Sequence, residues 1–214
     1  MSDRADFAQT GAAVAPDDLD DERLVGLNLT PAEAALAGSM PAVMHAPTYV
    51  ALHDHGISCA AITGYDAFDA LHVEPVCFLP SGRFELARDM RDQTGALLAV
   101  IVPCRNDLGF LDDLCAWEIS TDKLAWWRGA AALIGESYFA EPWVDDGVRV
   151  FATVAEWLRA DRRGVVILRS SLARWRLAEH RLIVDDAHFG RKLRDALWLP
   201  EPCGFVDTAR RAAA

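Results

Sequence analysis

Residues 97–127 read LLAVIVPCRNDLGFLDDLCAWEISTDKLAWW. Residues 97–104 are a continuous apolar run, the mark of a strand buried on both faces. Residues 106–111 contain Gly109 and predict a loop. Residues 114–119 and 124–127 read as two further strands, and Ser120-Thr121-Asp122-Lys123 between them is a hairpin signal. The expected centre of the fold is therefore a three-stranded antiparallel meander over about 97–128.

Upstream of the meander, Thr30-Pro31-Ala32-Glu33 is a capping box with proline at the first helical position, and predicts a helix over 31–37 stopped by Gly38. Residues 47–52 predict a second short helix ended by Gly56. Residues 57–63 (ISCAAIT) and 73–79 predict strands, and 83–88 continue as a strand or open a helix. Beyond Gly129, residues 130–140 predict a short helix and 148–152 a strand. Thr153 to Glu156 is a second capping box, with a helix over 154–160. Residues 165–168 predict a buried strand, 171–180 a helix, and 187–199 a helix capped by Asp185 or Asp186 and stopped by Pro200. The order of elements argues for α+β: one domain over 25–205, with a central, mainly antiparallel sheet and helices near both ends. Residues 1–24 hold seven acids against two arginines, which predicts a disordered acidic tail. Residues 206–214 predict a frayed end.

Composition narrows the class. Of 214 residues, 52% are hydrophobic, ample for a packed core. The cysteines number five, an odd count, and are widely spaced with no CxxC. That suits reduced thiols and a cytoplasmic protein. No apolar run follows a basic segment at the start, so no signal peptide is expected, and no run is long enough to cross a bilayer. Arginine outnumbers lysine nineteen to two, a bias that points to a GC-rich bacterial genome. Phosphate-cradling, dinucleotide, nucleophile-elbow, zincin and structural-zinc motifs are all absent, so no cofactor is expected.

Charge supplies the directional hint. The net charge is -11, yet residues 159–194 hold ten basic residues against four acids. Such asymmetry marks a surface for a polyanion or an acidic partner. On a helix from Ala187, Arg191, Arg194 and Trp198 fall on one face, with Lys192 beside them, while Phe189, Leu193, Ala196 and Leu197 face the core. Arg174 and Arg176 flank Trp175 on the preceding helix. Arginine beside exposed aromatic rings suits phosphate backbones and unpaired bases. The competing account pairs these arginines with the chain's own acids and places the tryptophans in the core.

Other constellations are weaker. His53-Asp54-His55 could clasp a divalent metal on a strand, but at the end of a helix the same residues satisfy terminal carbonyls and the dipole. His72 and Glu74 would share a strand face. Asp185-Asp186-Ala187-His188 could bind an ion or divide acid and base roles, and reads more simply as a helix cap. Asp112-Asp113 and Asp145-Asp146 read as turn residues. Residues 98–135 (a strand, an Asn-Asp-Leu-Gly turn, a second strand and a segment ending Leu133-Ile134-Gly135) resemble the meander that precedes the metal-binding Toprim core of phage and plasmid primases. Such a core needs a glutamate after one strand and Asp-x-Asp after another. Asp18-Leu19-Asp20 in the acidic tail is the one Asp-x-Asp, so no catalytic residue is carried over.

The leading expectation is a bacterial accessory or binding protein, of phage or plasmid type. Its basic C-terminal segment (Arg174, Arg176, Arg191, Lys192, Arg194 and Trp198) would meet nucleic acid or an acidic protein. The alternatives are a metal-dependent hydrolase or nuclease using His53 and His55 with Asp54, Asp185, Asp186 or His188, and an interaction module that dimerises through its tryptophans.

Overall fold

The computed structural model describes residues 29–91, 93–141, 147–197 and 206–207. The elements, in chain order, are α1 (Pro31–Ala37), β1 (Met40–Pro41), α2 (Ala46–Asp54), α3 (Cys59–Thr63), β2 (His72–Phe78), β3 (Phe84–Leu86), β4 (Leu97–Arg105), β5 (Leu111–Glu118), β6 (Lys123–Trp126) and β7 (Leu133–Ile134). There follow β8 (Val148–Phe151), α4 (Val154–Arg159), β9 (Val165–Ile167), α5 (Ser170–Leu177), β10 (Leu182–Val184), α6 (Ala187–Leu197) and β11 (Val206–Asp207). The fold is mixed α+β in one domain.

The meander forms where the apolar run predicts it. β4 pairs antiparallel with β5 and β5 with β6. β2 lies on the other side of β4 and carries β1 and β3 on its far edge. The sheet curls until Trp126 donates its backbone N–H to the Gly82 carbonyl at 3.1 Å. Alternate residues of β4 feed two cores, as the two-residue period of a strand requires. Ala99 and Ile101 join Ala32 and Leu36 of α1. Val100, Val102 and Cys104 face the opposite way, onto α2, α3 and α4. The strand starts outside this double burial: Leu97 and Leu98 are exposed, because only β2 flanks them there.

The second sheet was not foreseen. Its order is β11-β10-β8-β9-β7. β8 pairs in parallel with both β9 and β10, and β10 with β11, while β7 is antiparallel to β9. α4 covers one face within the core shared with the first sheet, and α5 and α6 cover the other. The molecule is thus layered: α1, first sheet, middle core, parallel sheet, then α5 and α6.

Two expectations on the way are corrected. Residues 57–63 are not a strand. The Ser58 hydroxyl accepts the Ala61 N–H at 3.0 Å and starts α3 instead. Residues 130–140 are not one helix. Leu133 and Ile134 pair with β9, and the chain then turns at Gly135, whose φ is 80°. Only afterwards does a 3-10 turn, Glu136–Ala140, begin. A Cβ on Gly135 would stand 2.5 Å from the Gly164 carbonyl oxygen, so both its conformation and its close packing need glycine. Val206 and Asp207 add a strand to β10; residues 1–24 and 208–214 lie outside the described residues.

Asp113 joins the two halves. It lies on β5 with 0% exposure and is not a turn residue. Its carboxylate accepts the backbone N–H groups of Arg128, Gly129 and Ala130 at 2.7–2.9 Å and that of Ala131 at 3.4 Å. It also accepts the N–H of Leu114 at 2.9 Å. This fixes the segment between β6 and β7, where the chain leaves the first sheet for the second. Asp113→Ala would remove a fully buried acceptor from five backbone donors, and urea denaturation should show a loss of at least about 3 kcal/mol. Asp113→Asn keeps one acceptor and should fall between. A loss under about 1 kcal/mol for alanine would show that water or a shifted backbone replaces the carboxylate.

Candidate functional site

The basic C-terminal residues lie on the outermost layer. α5 turns Ala173 and Leu177, four residues apart, into the core. Its opposite side presents Trp175, 67% exposed, with the Arg174 guanidinium 4.4 Å from the ring centroid. The buried Nε of Arg174 makes no hydrogen bond. α6 packs beside α5, burying Gly190, Leu193 and Leu197 and leaving Arg191, Lys192 and Arg194 exposed. The predicted core face of α6 is narrower than expected, since Ala196 is exposed and Phe189 only partly covered. Trp198 lies outside the described residues.

Internal pairing on this layer is sparse. Arg191 and Lys192 make no hydrogen bond or salt bridge among the described residues, and Arg194 reaches only its neighbour Asp195, at 3.7 Å. Arg176 is different. Its Nε stands 2.9 Å from Oε1 of Glu136, whose side chain is buried. Burial pushes the Glu136 carboxyl above the ordinary glutamate range, and the Arg176 charge offsets part of that rise. Of the described tryptophans, Trp117 and Trp157 are buried, Trp126 and Trp127 are partly covered, and Trp175 is exposed. Among the described residues Trp175 is the one exposed tryptophan.

The histidine and acid clusters are not brought together. His53 and Asp54 end α2, and His55 caps it, donating its N–H to the Ala51 carbonyl at 3.1 Å, while the Gly56 N–H donates to the His53 carbonyl at 2.8 Å. The His53 ring stacks on Tyr49. His72 is buried and bonded to the Ser39 hydroxyl at 2.9 Å and the Ala67 carbonyl at 3.1 Å, while Glu74 faces Arg88 at 3.6 Å. Asp186 caps α6, accepting the N–H groups of Phe189 at 2.7 Å and His188 at 3.2 Å, and those bonds hold its carboxyl below the usual range. Among the described residues no group of three or more His, Cys, Asp and Glu side chains could hold a metal ion. No parallel strand is followed directly by glutamate: Ala152 follows β8, Leu168 follows β9 and Asp185 follows β10. Cys104 and Cys115 are fully buried, and burial pushes both thiols up, away from nucleophilic character. Among the described residues no helix is long and apolar enough to cross a membrane.

Sequence reasoning missed two clefts. One, of about 480 Å³, opens between the sheets beside Tyr65, Tyr138 and Trp157. Two of its three arginines, Arg105 and Arg162, are consumed internally. Arg162 donates to the Ala61 carbonyl through Nε and Nη2, at 3.0 and 2.7 Å, and to the Asp69 carbonyl through Nη1 at 2.8 Å. Nη1 also pairs with the Asp69 carboxylate at 3.0 Å. Arg105 spans the Gly109 carbonyl and Asp66. These two guanidiniums clamp loops together, whereas Arg163, on the same wall, is exposed. Asp161 and Arg162 adopt left-handed φ angles of 50° and 62° to make that clamp. The other cleft, of about 680 Å³, opens between the ends of β8 and β10, beside Arg149, Arg159 and Asp185. The signal that could have found it is the repeated strand–helix alternation after residue 147, which marks a parallel sheet.

No family model matches the chain, and neither a curated protein nor a solved structure matches it.

Glu136 supplies a pH test of this site. A carboxyl whose folded pKa lies above its unfolded value contributes stability at pH values below the unfolded one, and that contribution fades as pH rises through the folded value. Glu136→Gln cannot ionise. It should flatten the decline in melting temperature between about pH 4 and the upper end of the Glu136 titration. Melts of the two proteins that stay parallel across that range would rule out a buried, raised Glu136.

Proposed function

We propose that this chain is a non-catalytic, cytoplasmic accessory protein that contacts the phosphate backbone of nucleic acid through the outer face of α5 and α6. One observation carries the reading: an exposed tryptophan with an arginine stacked on it, beside a second helix whose cations are unspent. Trp175 offers a flat apolar surface, and Arg174 lies against it. Arg191, Lys192 and Arg194 extend the positive charge along the neighbouring helix. Stacking platforms flanked by guanidiniums favour unpaired bases and their phosphates. A net charge of -11 opposes tight non-specific binding, so affinity is local to this face and modest.

Fluorescence anisotropy with labelled oligothymidylate and with a duplex of matched length, over a salt series, tests this. Single strands should bind better at low salt and weaken steeply as salt rises, because each neutralised phosphate releases counterions. Arg191→Ala/Arg194→Ala should lower both affinity and salt slope, the latter by about 1.4 for a single strand. Trp175→Ala should cost about 1–3 kcal/mol. Arg176 is left intact in this design, since its loss would strand Glu136 in the core. If neither form of nucleic acid binds and polyglutamate does, the face serves an acidic protein instead.

A further inference from the structure

The parallel sheet has a topological switch point, and a cleft lies at it. From β8 the chain crosses through α4 to β9 on one side. From β9 it returns through α5, past β8, to β10 on the other side. The helices that follow the neighbouring strand ends therefore part company. α4 enters the middle core and α6 the outer one. In open parallel sheets this divergence leaves a crevice outside the carboxyl ends of the two strands, and ligands bind there. Here the crevice has about 680 Å³, room for a nucleotide-sized molecule.

Its walls carry complementary chemistry. Two guanidiniums line it. Arg149, on β8, lies 5.9 Å from the Phe151 ring centroid and only 3.7 Å, a loose pairing, from Asp185. Arg159, at the end of α4, is exposed and makes no hydrogen bond or salt bridge among the described residues. All three carboxylates on the wall have partners. Glu156 accepts the Ala152 N–H at 3.1 Å, and Asp186 caps α6. Asp185 stands at the mouth, largely exposed, with the partly covered Phe189 ring on the same wall.

We propose that this cleft binds a small phosphomonoester with a hydroxyl-bearing body, of the class of nucleoside monophosphates and sugar phosphates. Arg149 and Arg159 take the phosphate in the bidentate manner that planar guanidiniums favour. Asp185 accepts from ribose hydroxyls, and Phe189 covers the apolar edge. The site is separate from the α5–α6 face and does not depend on the nucleic-acid reading.

Calorimetric titration of the full chain with AMP, ribose 5-phosphate, adenosine and inorganic phosphate tests it. AMP and ribose 5-phosphate should bind saturably, and adenosine and phosphate more weakly. AMP well above ribose 5-phosphate identifies a nucleotide site, and near-equality a sugar-phosphate site; both support the proposal. Arg159→Ala should lower AMP affinity at least about 10-fold, the scale of one lost charge-assisted contact, with an unchanged thermal melt. Arg149→Ala and Asp185→Asn should each weaken AMP binding too. The proposal is overturned if none of the four probes gives saturable binding at millimolar concentration, or if adenosine binds as well as AMP. It is equally overturned if Arg159→Ala leaves AMP affinity unchanged. Loss of AMP binding in Arg174→Ala/Arg191→Ala, with Arg159→Ala unaffected, would move the ligand to the helical face and away from the cleft.

Discussion

One carboxylate holds the architecture in register. The segment 128–131 leaves the last strand of the curled sheet and must arrive, within a few residues, as an edge strand of the parallel one. Its N–H groups cannot join either ladder during that crossing, and unpaired they would carry a heavy desolvation cost. Asp113 accepts four of them with a single side chain anchored on β5. The crossing is thereby built into the sheet, and the middle core can close on both sides of it. Trp157, from α4, and Trp117, from β5, belong to that one core. Their packing requires that the two sheets meet in one relation only.

Close backbone approaches follow from this constraint. At the seam, Gly135 lies against the Gly164 carbonyl, and the Trp157 indole N–H donates to that same carbonyl at 2.9 Å. A buried indole needs such an acceptor. β7 can therefore be as short as two residues, Leu133–Ile134, and still be fixed. The parallel strands are likewise short, and their helices carry much of the burial: Val154, Trp157 and Leu158 on one face, Ala173, Leu177, Leu193 and Leu197 on the other.

The sequence announced its local devices more clearly than its long-range ones. The capping box at Thr30–Glu33 forms with both reciprocal bonds, while at Thr153–Glu156 only the Thr153 half forms, the Glu156 carboxylate accepting from Ala152 instead. The apolar run at residues 97–104 becomes the strand that feeds two cores. These are signals of short range, decided within a few residues. The parallel sheet went unread although strands at 148–152 and 165–168 were expected, because β10, three residues long, gave no periodicity and parallel pairing leaves no turn signature. Asp113 was misread for a related reason. Next to Asp112 and near Gly109 it has the look of a turn, and only the later return of residues 128–131 gives it partners. In the candidate site, the flanking of Trp175 by arginines was visible, because helical spacing is local. Which arginines are spent was not, because Glu136 lies forty residues from Arg176.

Position in the layers decides what each arginine can do. Arg105 and Arg162 sit at the seam between the halves, and every nitrogen of Arg162 finds a backbone carbonyl there. Burial lowers the Arg162 pKa, and Asp69 restores part of that loss, as befits a cation held for structure. On the outer helices Arg176 pairs with Glu136 and Arg194 with its neighbour Asp195, while Arg191 and Lys192 make no hydrogen bond or salt bridge among the described residues. The C-terminal excess of positive charge is therefore two populations: an inward clamp at Arg162, and exposed cations at Arg159 and Arg163 and on α5 and α6.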